Sequence, residues 1–215
     1  MTGRRSTGAT WVARALHSPL VVAVGARVPV PLRLARRFLV RDNRRENERD
    51  GWGRLDGSAE QPRYAAVRAA VRRHGGDGFV LDVGCSQGLL LDGLVYGRYL
   101  GVDPFPEPLA RAASRADGRT AFLLADGAAF VPDPLPDVVV LNEVLYYLPD
   151  PLATVEHYAR LLSPGGVLVV SLFAHTWATR RLQDQLAARL ELVETSLVES
   201  GHLGWRVSVF RPRNR

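Results

Sequence analysis

Lysine is absent from the 215-residue sequence, in which all 28 basic residues are arginine. This absence excludes enzymes that form a lysine Schiff base or use a lysine nucleophile. Cysteine is almost absent, because Cys85 is its single occurrence. One cysteine forms neither an internal disulfide nor a thiolate-rich metal site, so we expect no metal. We also expect a reducing compartment, the cytoplasm.

Long uncharged apolar runs are also missing. The most apolar part of the N-terminal region, residues 11–30, is interrupted by Arg14 and His17. Its uncharged segment is too short to span a bilayer, and we therefore expect no transmembrane helix. Arg4 and Arg5 precede the segment, but the pattern does not favour an export signal.

Charge is distributed unevenly along the chain. Residues 1–54 contain 12 Arg against 4 acidic residues, and the remainder contains 16 Arg against 18 acidic residues. We therefore expect a basic N-terminal extension, 1–50, partly helical or disordered, and a near-neutral domain, 51–215. The extension is predicted to be a solvated arm, and the alternative is weak contact with a membrane surface or another anion. No nucleic-acid partner is expected, because the domain itself is near neutral.

Within the extension, residues 31–39 have the pattern of a short basic amphipathic helix. Beyond it, strand and helix patterns alternate. Apolar runs predict strands at 79–83, 99–103, 121–125, 138–142, 167–173, 192–199 and 205–211. Helical spacing and helix-start signals predict helices at 61–73, 87–95, 107–116, 151–162 and 176–190. This alternation predicts an α/β fold with a doubly wound sheet of about seven strands. The sheet is mostly parallel, with helices on both faces and an antiparallel hairpin at the C-terminal edge.

The segment from Phe79 to Gly88 predicts a ligand site. A buried strand runs directly into a glycine turn at residues 84–88. Ligands of parallel sheets bind at such turns, where glycine lets them approach the backbone. Ser86 replaces the middle glycine of the dinucleotide-binding pattern, which weakens the case for a pyrophosphate and for an NAD-type oxidoreductase.

Acidic residues end the strands beside this turn. Asp103 lies 21 residues after Asp82, at the end of the second strand, where a carboxylate is placed to bind ribose hydroxyls. Asp126 follows the third strand and is a candidate partner for an adenine amino group. Alone, Asp103 or Asp126 would equally suit a turn or helix cap.

The fourth strand ends in polar residues, Asn142 and Glu143, which are followed by Tyr146 and Tyr147. A cofactor bound at the turn would present its reactive end in this neighbourhood. We expect one of the two tyrosines to be structural.

Five ordered segments carry a family resemblance. They read LDVGCSQG at 81–88, GVD at 101–103, AD at 125–126, LNEVLYYL at 141–148 and LLSPGGVL at 161–168. From residue 52 onward the chain resembles class I S-adenosylmethionine-dependent methyltransferases of the small-molecule branch, types 11 and 12. Residues 143–148 are similar to nodulation-type N-methyltransferases. The resemblance implies a Rossmann-like fold, S-adenosyl-L-methionine as cofactor, and a small-molecule acceptor such as a sugar or natural product.

The resemblance also implies which residues bind the cofactor. The loop would pass under the methionine and ribose, and Asp103 would hold the ribose hydroxyls. An N-terminal lid helix, 51–74, would bring Arg63 or Tyr64 to the methionine carboxylate. Ser86 departs from the family pattern, which usually has glycine there. The implied cofactor-binding residues are Asp82, Gly84, Cys85, Ser86, Gly88, Asp103, Pro104, Asp126, Gly127, Asn142, Arg63 and Tyr64.

Methyl transfer is an in-line displacement in which the protein aligns the reactants and excludes water. A base is needed only when the acceptor atom, which is O, N or C, must lose a proton as it receives the methyl group. The candidates are His175, Glu143 and Tyr147. A protein that binds the cofactor but acts as a cyclase or non-catalytic partner subunit is the alternative. The sequence predicts no particular oligomeric state.

Overall fold

The computed structural model describes Arg36 and residues 56–213. The predicted amphipathic helix at 31–39, apart from Arg36, lies outside the described residues. So do residues 51–55 of the predicted lid helix. Within the described part, no helix is long and apolar enough to cross a membrane.

Seven strands form one sheet in the order β3-β2-β1-β4-β5-β7-β6. Strands β1 to β5 pair in parallel, and β7 lies antiparallel between β5 and β6. This arrangement confirms the predicted mostly parallel sheet with an antiparallel C-terminal edge. The strands are β1 (Phe79–Val83), β2 (Arg98–Asp103), β3 (Thr120–Leu124), β4 (Val138–Asn142), β5 (Val167–Phe173), β6 (Glu191–Ser200) and β7 (Leu203–Arg211).

Within residues 56–213, four α-helices accompany the sheet. They are α1 (Gln61–Gly75), α2 (Pro106–Ala112), α3 (Pro151–Arg160) and α4 (Trp177–Arg189). Pro151 occupies the first turn of α3, and the side chain of Asp150 accepts a hydrogen bond from Ala153 N, which satisfies a free N–H of that turn. Thr176 caps α4 in the same way by accepting from Thr179 N.

The helices pack on both faces of the sheet. Val67 and Val71 of α1 join one buried cluster with Val80 and Val140 of the sheet. Leu182 and Leu186 of α4 belong to the other cluster. We call these two surfaces the α1 face and the α4 face.

The prediction of a helix at 87–95 is wrong. Only a three-residue 3₁₀ turn, Leu89–Leu91, forms in this segment. Asp92 is extended and Gly93 has φ +88°, so the chain turns away before an α-helix can continue. The helical spacing arose because Leu89–Leu91 and Leu94 all enter the core. The predicted helix at 107–116 likewise divides into α2 and a 3₁₀ turn, Ala113–Arg115.

Candidate functional site

Polar side chains line the carboxyl edge of the sheet on the α1 face. The register pairs Asp82 with Gly101 and Val140, and Asn142 with Ser171. Paired residues on neighbouring strands present their side chains to the same face, and residues two apart on one strand do so as well. Asp103 therefore joins Asp82, Asn142 and Ser171 in one row.

The glycine turn after β1 has the backbone conformation of a close-approach loop. Gly84, Ser86 and Gly88 have φ values of +74°, +48° and +71°. A Cβ at Gly84 would lie 2.5 Å from Val144 Cγ2, so glycine is required there by space as well as by conformation. Ser86 adopts the left-handed conformation despite its side chain. Such a conformation favours glycine, the residue that the resemblance implied for this position.

Asp103 is connected directly to the turn. One carboxylate oxygen accepts from Ser86 N at 3.0 Å, and the other accepts from Phe105 N at 3.0 Å. Burial raises the pKa of this carboxyl, and these two backbone hydrogen bonds oppose the increase. Each carboxylate oxygen can accept a further hydrogen bond, so two acceptor positions suit a pair of vicinal hydroxyls.

Cys85 lies inside the turn rather than on its surface. Its side chain is 7% exposed, and a Cβ at Gly101 would lie 2.7 Å from its sulfur. Burial and the neighbouring Asp82 and Asp103 raise the pKa of the thiol well above its usual value. The thiol therefore packs the turn against β2, and contact of Cys85 with the cofactor stays a prediction.

Asp82 is a buried carboxyl whose partner is Tyr99. The Tyr99 hydroxyl donates to Asp82 Oδ2 at 2.7 Å. Burial raises the pKa of Asp82 to about 7, while the Tyr99 hydrogen bond lowers it, Asp103 raises it further and Arg63 lowers it. Asp82 is thus poised between its charged and neutral forms at neutral pH.

Arg63 enters the row from the first turn of α1 and is 2% exposed. Its Nε and Nη2 both donate to Glu60 Oε2, at 3.0 and 2.8 Å, and Nη1 donates to Asn142 Oδ1 at 2.5 Å. The guanidinium also lies 4.4 Å from the centre of the Tyr64 ring and 5.7 Å from that of Trp205. Tyr64 therefore supports Arg63, and Arg63 is the fixed cation of the site.

Glu143 follows β4 in a left-handed conformation, φ +58°. Tyr146 Oη donates to Glu143 Oε2 at 2.6 Å, and Ser171 Oγ donates to Oε1 at 3.3 Å. Burial raises the pKa of Glu143 to about 7, against the lowering effects of Arg63, Tyr146 and Ser171. A strained backbone that holds a half-buried carboxyl of raised pKa is typical of functional positions.

The other two base candidates have different surroundings. The Tyr147 ring packs edge-on against Tyr146 at 4.8 Å, and its carbonyl accepts from Arg36 Nε at 3.1 Å. The His175 ring packs edge-on against Phe173 at 5.4 Å, and a Cβ at Gly204 would overlap it. Within the described residues His175 forms no hydrogen bond, so it lies outside the Arg63–Glu143 network.

The residues predicted at the adenine edge are separated from this network. Asp126 is exposed, and its carboxylate accepts a hydrogen bond from Ala128 N at 2.9 Å. It therefore caps a turn, which is the alternative role that the sequence allowed. The carbonyl of Gly127 accepts from Tyr158 Oη at 2.8 Å. Pro104 is exposed after β2. These positions surround the same strand ends, and their contact with adenine stays a prediction.

Three residues of the network were not predicted from the sequence, namely Glu60, Tyr99 and Ser171. Two had a signal. Glu60 precedes Arg63 by three residues at a helix start, a spacing that favours an ion pair. Ser171 is the only polar residue of the buried strand β5. Tyr99 had no signal, because its hydroxyl meets Asp82 only after β1 and β2 pair.

A family model of the methyltransferase domain matches residues 58–214, most of the chain. The chain belongs to the methyltransferase domain family. This confirms the predicted family, and the Rossmann-like fold agrees with it.

Curated relatives in the family have related names. A trans-aconitate 2-methyltransferase from Methylobacterium nodulans is 41% identical over 98 residues, which are 43% of this chain and 37% of that protein. Nodulation protein S from Bradyrhizobium diazoefficiens is 33% identical over 128 residues, 56% of this chain and 61% of that protein. The chain thus spans only part of the length of these methyltransferase relatives.

A solved structure covers more of the fold. N-methyltransferase NodS from Bradyrhizobium japonicum, in complex with S-adenosyl-L-homocysteine, is 25% identical with a TM-score of 0.68. The match covers 80% of this chain and 96% of that one. The nodulation-type similarity predicted from residues 143–148 is therefore present in sequence and in structure.

Proposed function

We propose that this methyltransferase moves a methyl group from S-adenosylmethionine to a small-molecule acceptor. The observation that carries the proposal is the row of Asp103, Asp82 and Asn142 beside the glycine turn, on one face of the sheet. The likeness to a structure bound to S-adenosylhomocysteine supports the same cofactor. A cytoplasmic location is part of the proposal and rests on the single buried cysteine.

The donors and acceptors of the row fit the cofactor. The two remaining acceptor positions of Asp103 would hold the ribose hydroxyls, and Asp82 would face the ammonium group. Arg63 uses three of its five N–H groups on Glu60 and Asn142 and would offer another to the carboxylate. When bound, the cofactor supplies an electrophilic methyl group on a positive sulfonium.

Glu143 is our proposed base when the acceptor must lose a proton. Its carboxyl lies at the end of β4 beside Asn142, and hydroxyl donors hold both of its oxygens. A pKa of about 7 lets the carboxylate accept a proton near neutral pH. His175 is the less favoured base because it packs against Phe173 and Gly204 instead.

The acceptor class is tested by transfer of a labelled methyl group. The relatives' names motivate one panel of polycarboxylates that includes trans-aconitate, and the nodulation-type similarity motivates a second panel of amino sugars and chitooligosaccharides. We expect label in one panel, loss of kcat in Glu143→Gln, and near-normal kcat in His175→Gln. Cofactor binding without transfer to either panel would argue against the proposal. It would favour the cyclase or partner-subunit role, for which a [4+2]-cyclase of similar fold is a precedent.

A further inference from the structure

A second concave site lies on the α4 face, at the carboxyl end of β5. It is an open depression of about 320 Å³ between α4 and β7. Its lining residues are Trp177, Arg180, Arg181, Gln183, Asp184 and Arg206. None of them belongs to the network around Arg63 and Glu143.

The strand register separates this depression from the proposed cofactor site. Arg206 pairs with Leu172, which belongs to the buried cluster beneath α4. Paired residues share a face, so the side chain of Arg206 lies on the α4 face. The neighbouring Trp205 lies on the α1 face, where its ring meets Arg63. A ligand in the depression therefore does not compete with the cofactor for space.

The floor and wall of the depression are built from fixed side chains. Gln183 Nε2 donates to Ser208 Oγ at 2.6 Å, and this hydroxyl also bonds Thr195 Oγ1 at 2.9 Å. Ser208 is fully buried, so the floor is anchored in the sheet. The Arg181 guanidinium lies 5.6 Å from the centre of the Trp177 ring. A flat aromatic wall and a guanidinium plane thus stand next to each other.

The charges of the lining do not balance. Arg181 and Arg206 face Asp184, the one acidic residue of the lining, which leaves a net charge of +1 (2 minus 1). Arg206 is half-buried, and no residue in the described part of the chain forms an ion pair or hydrogen bond with it. Arg189, further along the same helix, is instead paired with Glu156 at 3.1 Å. A half-buried guanidinium that faces a cavity without a counter-ion favours an anionic ligand.

We propose that this depression binds a multivalent oxyanion, a polycarboxylate or a phosphate ester, between Arg181 and Arg206 beside Trp177. Guanidinium groups bind carboxylate and phosphate oxygens in bidentate pairs, and donors on two separate elements suit a ligand with more than one anionic group. The ligand and the cofactor bind at the same time, because they occupy opposite faces. The proposal does not depend on the identity of the methyl acceptor.

Calorimetric titration of the full chain, saturated with S-adenosylhomocysteine, tests the site. The probes are citrate and pyrophosphate, at low and at high salt. We expect saturable binding of one equivalent of at least one probe, weakened by salt. The probe that binds more tightly identifies the anionic group that the site prefers.

Matched variants localise the binding. Arg206→Gln is expected to weaken it on the order of tenfold, and Arg206→Lys less, because lysine keeps the charge without the bidentate geometry. Arg189→Gln removes the same charge from the far end of α4 and is expected to leave binding unchanged. If Arg206→Gln does not fold, Arg181→Gln takes its place. Equal losses in Arg206→Gln and Arg189→Gln, or no saturable binding of either probe, would overturn the proposal.

Discussion

The backbone N–H of Ser86 donates to the carboxylate of Asp103 at 3.0 Å, from a residue whose φ is +48°. This single bond joins the turn after β1 to the end of β2. It orients the carboxylate whose remaining acceptor positions suit a ribose. The N–H that holds Asp103 thus belongs to a residue in a left-handed conformation that is unfavourable for a side chain, so backbone strain and ligand geometry meet at this residue.

Replacing Ser86 with glycine should stabilise the protein. Glycine adopts φ +48° without the left-handed penalty, and the net gain after its greater unfolded-state entropy is roughly 0.5–1 kcal/mol. Urea unfolding measures the change. Gly88→Ser is the contrasting variant, because φ is +71° there and its Cβ would lie 3.0 Å from the Phe122 ring. A lower unfolding free energy in Ser86→Gly would contradict the strain assigned to this residue.

Asp103→Asn should weaken cofactor binding on the order of tenfold to a hundredfold. An amide has one oxygen in place of two, so one of the N–H groups of Ser86 and Phe105 loses its acceptor. Titration with S-adenosylhomocysteine measures the affinity. Asp117→Asn is the control, because that exposed carboxylate accepts from Arg119 N in the turn before β3 and belongs to no predicted cofactor contact. Comparable losses in both variants would show that Asp103 has no special role.

Arg63→Gln should destabilise the fold by about 3 kcal/mol, since it removes the guanidinium that contacts the buried Glu60 carboxylate. Chemical unfolding of the single variant and of the double variant with Glu60→Gln measures the effect. We expect the double variant to recover much of the loss, because its amides carry no charge. Additive losses would mean that the ion pair itself contributes little.

Stability should fall as the pH rises from about 4 to about 7. Burial raises the pKa values of Glu143 and Asp82 from 4.5 and 3.8 to about 7, so the folded state binds more protons in this window. Stability from such groups is present at low pH and is lost as the pH rises through the folded pKa. Glu143→Gln should make the free energy of unfolding less dependent on pH. At pH 8 this free energy should be about 2 kcal/mol higher in the variant than in the unmodified protein. Unfolding between pH 4 and 8 tests this. An unchanged slope in the variant would show that Glu143 is ionised throughout.

The sequence predicted secondary structure correctly where a residue pattern was compatible with only one kind of element. The runs at β4 and β5 are apolar except for Asn142 and Ser171, and their predicted bounds agree with the structure. Prediction failed at 87–95, where leucines with helical spacing are core residues of a 3₁₀ turn. It also missed Tyr99 and Ser171, because their partners are distant along the chain.

The sequence alone therefore determined the alternating fold, the glycine turn, and the family that these motifs indicate. Such features depend on local patterns, namely apolar periodicity, glycine conformation and residue spacing. The tertiary structure decided which polar groups meet. Strand register placed Asp82, Asp103 and Asn142 on the α1 face and Arg206 on the α4 face. Helix packing buried Arg63 between Glu60 and Asn142. The charge state of Glu143 follows from burial, which no local pattern contains.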